Sequence, residues 1–286
     1  MNHNDGPRPG ETPRAFAGSH LPGSGEDRFA AGRDLTRWTT PFGRFAARLM
    51  HRLSTVLGHH AALVLTLFVG AVLALLLTIA SAEIYEAVTE GDGVASLDHP
   101  LLDAAISLRS PTLDTLVTAY TNIGGPVGMP ILALSVMVFL AVRRSWTPVI
   151  LMVSAAAGSL LMTIAGKQFI GRSRPPLQDA VPPYEYSASF PSGHSLNAMV
   201  IAGIVAYLLL LRQHSRKAGI ITILCAAVFA FTMGASRVFL GHHWFTDVLV
   251  AWTLGAAWLA LVITIHRLYL TARHRRPAET PDVPST

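Results

Sequence analysis

An all-α bundle of six membrane-spanning helices, with short interfacial helices in its first external loop, is the fold class this chain predicts, and three observations carry it. Hydrophobic residues fill 51% of the 286 positions and charged ones only 14%, with a mean hydropathy of +0.44, a composition suited to lipid as the solvent. Six apolar runs can be marked off against the roughly 30 Å of a bilayer's hydrocarbon. When the runs are counted off, every basic link and flank falls on one side of the bundle. The net charge of +5 therefore reads as a topology signal and not as a surface for nucleic acid, because the Lys and Arg sit beside apolar runs. A single cysteine, Cys225, leaves no intramolecular disulfide and no cysteine-based metal cluster.

Residues 1–45 are rich in Gly, Pro, Arg and Ser without apolar periodicity, and predict a disordered cytoplasmic tail. Residues 46–270 form the membrane domain and 271–286 a second cytoplasmic tail. Arg37, Arg44, Arg48 and Arg52 precede the first run, with Trp38 and Phe42 among them. A basic amphipathic segment on an anionic leaflet explains them, and so does a plain stop to translocation. The first span covers 61–82; Ala80-Ser81-Ala82 imitates a signal-peptidase site, but the run is too long and too far from Met1 for a secretory signal. From Glu83 to Gly125 acidic residues outweigh the lone Arg109, as on an external face. There Leu101, Leu102, Ala105, Ile106 and Leu108, then Leu113, Leu116, Val117 and Tyr120, recur at helical spacing. They predict two short surface helices that border a lipid's way in or merely cap the bundle. The remaining spans are 126–142, 147–166, 195–211, 219–235 and 247–265, with basic links at Arg143-Arg144 and 212–217 and a basic tail from Arg267. That count leaves both termini cytoplasmic, and places segments 167–194 and 237–247 together on the extracytoplasmic face.

Those two segments hold three polar clusters. In Lys167-Gln-Phe-Ile-Gly-Arg172-Ser-Arg174-Pro175 the lysine ends an apolar run, where an ionisable group is usually paired or functional. Lys167 can act as a point charge and Arg174 as a two-pronged clamp on the same anion, with Pro175 stopping any helix; Arg172 also reads as a snorkelling side chain. Phe190-Pro191-Ser192-Gly193-His194 opens the fourth span. Free backbone N–H groups there, with Gly193 for close approach and the Ser192 hydroxyl, make an anion cradle, although the same residues make a turn and a helix cap. The third cluster, Ser236-Arg237 to His242-His243 to Asp247, brings an imidazole and a carboxylate four residues apart. If helical from His243 onward, they share a face, and Asp247 can hold His243 in one tautomer beside the donor fork of Arg237. A patch of interfacial polar residues explains this third cluster equally when it is taken alone.

In this order, Lys-x6-Arg-Pro, Pro-Ser-Gly-His and Ser-Arg-x5-His-x3-Asp, the set resembles the type-2 phosphatidic acid phosphatases, or lipid phosphate phosphatases, over residues 88–266. The resemblance implies a six-helix membrane fold and a phosphatase that needs no metal or other cofactor and passes through a phosphohistidine. Carried onto this chain, it implies His243 as nucleophile, Asp247 as its orienting partner and His194 as the acid for the leaving group. Lys167, Arg174, Ser192, Gly193 and Arg237 would hold the phosphoryl oxygens; the five residues between Arg237 and the histidine select His243 over His242. The expected partner is a lipid phosphate in the outer leaflet of a bacterial plasma membrane. Undecaprenyl diphosphate heads the candidates, before phosphatidylglycerophosphate, phosphatidate and diacylglycerol diphosphate. A phosphotransferase using the same intermediate, or a non-catalytic binder or transporter of lipid phosphates, are the rivals; the latter needs the cations but not the His243–Asp247 pair.

Overall fold

The computed structural model describes residues 29–30, 33–34 and 61–273, with side chains over 63–271 in the helical part. The basic segment before the first span and nearly all of both tails lie outside these residues. Two-residue strands β1 (Phe29–Ala30) and β2 (Arg33–Asp34) pair antiparallel, and are the only strands among the described residues. Everything else regular is helix, as a chain in hydrocarbon requires if its backbone N–H and C=O groups are to be satisfied internally.

The helices are α1 (Ala61–Glu90), α2 (Asp98–Ser107), α3 (Pro111–Thr121), α4 (Gly128–Val142), α5 (Trp146–Ile170), α6 (Gly193–Arg212), α7 (Arg216–Phe239) and α8 (Phe245–Arg273). Five of them, α1 and α5 to α8, are long and apolar enough to cross a membrane alone. The expected second span is shorter than the sequence suggests: α4 has 15 residues, about 22 Å at the helical rise. It qualifies only together with α3, which meets it across a break bent by 42°. One of the two expected surface helices thus belongs to a broken sixth span. Helix α3 starts where Ser110 caps the Leu113 N–H at 3.3 Å and Pro111 fills the first turn. Helix α1 continues to Glu90 instead of stopping at Ala82, taking Glu83 and Glu86 into its last turns. Helix α5 passes Lys167 and is stopped by Gly171, whose φ of +60° suits a residue without a Cβ, and not by Pro175.

Helix α6 lies deepest. Its Leu196, Ala198, Val200, Ile201 and Ile204 pack in one core with Met152 and Ala155 of α5, Met233 of α7 and Ala251 of α8. Small residues let these helices approach, as the sequence predicts for the third and sixth spans: a methyl group on Gly158 would come within 2.1 Å of the Trp258 ring. Helix α1 runs along α8, tied by a Ser81–Thr253 hydroxyl contact of 2.8 Å, and turns Leu67, Phe68, Leu75 and Leu76 outward. The short links α4–α5 and α6–α7 meet at one end, where Arg212 Nη2 donates to Ser145 Oγ at 3.3 Å. At the other end α5 finishes, α6 starts, α7 finishes and α8 starts. That end holds all three polar clusters.

Candidate active site

The turn from α7 into α8 is built from the Arg237 carbonyl, which accepts from the N–H groups of both His242 (3.0 Å) and His243 (3.3 Å). Gly241 makes it possible: its φ is +70°, and a Cβ there would stand 2.3 Å from the Asp179 carbonyl oxygen. His243 consequently sits ahead of α8, not on it. The expectation that His243 and Asp247 share a helical face is therefore corrected. Asp247, in the first turn of α8, reaches back to accept the Trp244 N–H at 3.0 Å, and so brings Oδ2 to 3.5 Å from His243 Nδ1.

Ser189 completes this contact. Its hydroxyl donates to Asp247 Oδ2 while its oxygen stands 3.3 Å from His243 Nδ1, able to accept that proton. On the opposite edge of the ring an Arg174 Nη1–H points at His243 Nε2 from 3.2 Å. A guanidinium can only donate, so Nε2 carries the lone pair and Nδ1 the hydrogen. The ring is 1% exposed. Burial first, then the positive charges of Arg174 and Arg237, push the His243 imidazole well below its ordinary value. At neutral pH the ring is uncharged.

Around it stand the cations. Lys167 Nζ and the Arg174 guanidinium share the Ser187 hydroxyl (3.2 and 3.1 Å) and the Ala188 carbonyl as acceptors, which places the two charges side by side. Arg237 is 1% exposed; its Nη1 donates to Thr121 Oγ1 at 3.2 Å, and its Nε–H has no partner among the described residues. Glu185, which sequence reasoning did not single out, lies between the two arginines. Its Oε2 is 2.8 Å from Arg174 Nη2 and its Oε1 pairs with Arg237 Nη2. Burial would raise the Glu185 carboxyl, but the guanidiniums of Arg237 and Arg174 outweigh it and hold the group at about 2.

The Pro-Ser-Gly-His cluster opens α6, with Ser192 as its cap. Ser192 uses its hydroxyl to cap α6, accepting from Ser195 N at 3.5 Å and pairing with Ser195 Oγ at 2.8 Å, while its own N–H donates to the Asp247 carbonyl at 3.2 Å. Gly193 packs on α5, where a Cβ would be 3.1 Å from Thr163 Cγ2. His194 directs Nε2 against Gly125, to 3.3 Å from where a Cβ would lie, at the bend between α3 and α4.

A second row supports the first. Arg172 is no snorkelling side chain: Nη1 donates to Asp247 Oδ1 and to Thr246 Oγ1 (2.8 Å), and Nη2 to Asp98 Oδ2 (2.7 Å). Its guanidinium also lies over the Trp244 ring at 5.7 Å. Asp98, at the start of α2, accepts from the Thr246 N–H (2.8 Å) and hydroxyl (2.7 Å), so it caps α8 from 148 residues away. Arg172, Asp98, Ser189 and Glu185 had no motif to announce them. Among the described residues no group of three or more His, Cys, Asp or Glu could hold a metal ion. The arrangement offers an oriented, neutral imidazole beside the basic side chains of Lys167, Arg174 and Arg237, which suits attack on a phosphoryl centre.

Comparison with known proteins agrees with this chemistry. The model of the PAP2 superfamily matches residues 147–269, a stretch holding every site residue named above except Asp98, Thr121 and Gly125. Phosphatidylglycerophosphatase B of Bacillus subtilis (strain 168) is 33% identical over 177 residues, which cover 60% of this chain and 84% of that protein. The crystal structure of a transmembrane PAP2 type phosphatidylglycerolphosphate phosphatase from Bacillus subtilis superposes with a TM-score of 0.57 at 30% identity, over 69% of this chain and 95% of that one. Motifs, helical bundle and relatives converge, and the chain belongs to the PAP2 superfamily as a multi-pass membrane lipid phosphatase.

Proposed function

We propose that this protein hydrolyses the terminal phosphate of a glycerophospholipid phosphate, phosphatidylglycerophosphate first, at the outer leaflet and without a metal. The observation that carries the reading is the placing of the His243 ring, with Asp247 and Ser189 at Nδ1 and the Arg174 guanidinium 3.2 Å from Nε2. Undecaprenyl diphosphate, ahead on sequence alone, moves behind phosphatidylglycerophosphate because the similar Bacillus protein bears that activity in its name. The extracytoplasmic position of the site and the cytoplasmic termini follow from the basic links at the opposite end of the bundle.

In the first step His243 Nε2 forms a bond to phosphorus as the bond from phosphorus to the lipid oxygen breaks. His194, protonated once the anionic phosphate stands beside it, gives its proton to that oxygen. In the second step water, losing a proton to His194, attacks the phosphohistidine; the N–P bond breaks and phosphate leaves. The three cations neutralise the equatorial oxygens throughout, work that magnesium does in other phosphoryl-transfer sites.

Phosphate release from the four candidate lipids by detergent-purified protein in EDTA, wild type beside His243→Ala, tests this. Wild type should be fastest on phosphatidylglycerophosphate, and the alanine variant slower by about four orders of magnitude. Near-normal turnover by the variant, or activity lost to EDTA and restored by magnesium, would overturn it. Product analysis with an added alcohol acceptor separates hydrolysis from phosphotransfer.

A further inference from the structure

The cationic cage already holds an anion of the protein's own. We infer that Glu185 is a resident competitor for the phosphoryl site, bridging Arg174 and Arg237 while the site is empty of substrate and yielding its place to an incoming phosphate. The inference rests on the function proposed above, since it takes these two arginines as the phosphate clamp.

Three observations support exchange over a fixed structural pairing. First, Glu185 comes from a loop and not from a helix, and its neighbours Tyr184 and Tyr186 are 44% and 83% exposed, so of these three side chains only Glu185 turns inward. Its own side chain keeps 31% exposure, against 2% for Arg237 and 9% for Arg174, which leaves the carboxylate a way out to solvent that the guanidiniums lack. Second, the fit is incomplete. A carboxylate has two oxygens, and both are spent on the terminal nitrogens of the two arginines, while the buried Nε–H of Arg237 has no acceptor among the described residues. A phosphoryl group brings a third oxygen and greater charge, so it can satisfy a donor that Glu185 cannot. Third, the anchors of the loop lie beside the carboxylate and do not depend on it. Lys167 and Arg174 grip Ser187 and Ala188, Arg109 donates to the Asp179 carbonyl at 2.6 Å, and Val181 N donates to the Leu240 carbonyl at 2.9 Å. The side chain can leave without unfastening the loop.

The arrangement has an energetic logic. Without a counter-ion, Arg174 and Arg237 would face each other buried and unpaired, a costly state. Glu185 keeps the empty site stable and sets a threshold: only an anion that binds the cage better than one carboxylate displaces it. Apparent affinity for phosphate falls by the fraction of molecules in which the carboxylate is away.

Purified full-length wild type, Glu185→Gln and Glu185→Asp, titrated with inorganic phosphate and followed by phosphorus NMR and by thermal melts, would test it. The Gln variant should melt lower than wild type in phosphate-free buffer, bind phosphate about ten-fold more tightly, and gain more melting temperature from saturating phosphate. The Asp variant, one methylene too short to bridge both guanidiniums, should fall between. Equal or weaker phosphate binding by the folded Gln variant overturns the inference. So does a Gln variant that stays unfolded in saturating phosphate, because phosphate should replace the missing carboxylate. The lipid assay is read separately. Tighter phosphate binding with no lipid hydrolysis by wild type would leave this inference standing and remove the proposed function; hydrolysis with no gain in the Gln variant would do the reverse.

Discussion

At the scale of single residues, the neighbouring rings of His242 and His243 are kept uncharged by burial. His242 donates from Nε2 to the Val181 carbonyl at 2.7 Å, and burial, then the Arg237 charge, push it down to about 4. Between that value and the ordinary 6.5 the unfolded chain binds a proton that the folded one refuses, so stability is full above this window and falls as pH drops through it. Thermal melts from about pH 7.5 to about pH 4.5 should show this decline in wild type, and a shallower one in His242→Gln, whose amide can still donate to Val181. An unchanged slope would remove His242 from the balance. The sequence separates His243 from His242 by a count of five residues from Arg237, and the structure gives the two rings different work, one facing Arg174 and the other tied to a carbonyl. What a motif could not disclose is Glu185. Between Lys167 and Gly193 it is one of only two acids, with Asp179, and nothing in its local sequence says that it bends inward.

At the scale of elements, the salient part is a strut. Arg172 joins the loop after α5 to Asp98 at the head of α2 and to Asp247 in the first turn of α8. The carboxylates it spans are 4% and 0% exposed, so Arg172→Ala would leave two buried charges unpaired, at a cost of about 3–5 kcal/mol. A markedly lower melting temperature and a fall in kcat larger than any change in KM are expected for that variant. Arg172→Lys should recover only part of either, because an ammonium cannot fork between two carboxylates. A lysine variant with full activity would contradict the strut. Helix boundaries were legible from apolar runs to within a turn or two, except where acidic residues such as Glu83 and Glu86 ride on a continuing helix. The pairing of Asp98 with Arg172 and Thr246 was illegible, since it joins segments far apart in sequence and involves residue types that also serve as ordinary surface charges.

At the scale of the whole molecule, charge placement predicts orientation. In a Cys225→Ala background, Asp92→Cys beyond the end of α1 and His214→Cys in the α6–α7 link are both exposed positions at opposite ends of the bundle. A membrane-impermeant maleimide should label the first in intact cells and the second only after permeabilisation; the opposite pattern would turn the protein over. The bundle itself could be read from composition and basic links, because lipid leaves a chain few options, whereas the 42° break between α3 and α4 leaves no mark in an apolar count. One last consequence belongs to the order in which a ribosome makes this chain. His243 and Asp247 stand at the threshold of α8, the final helix, and their support comes from Asp98 and Arg172, translated long before. The pocket is therefore completed only as the final helix is made, and a nascent copy halted before α8 carries Lys167, Arg172 and Arg174 without the carboxylate of Asp247.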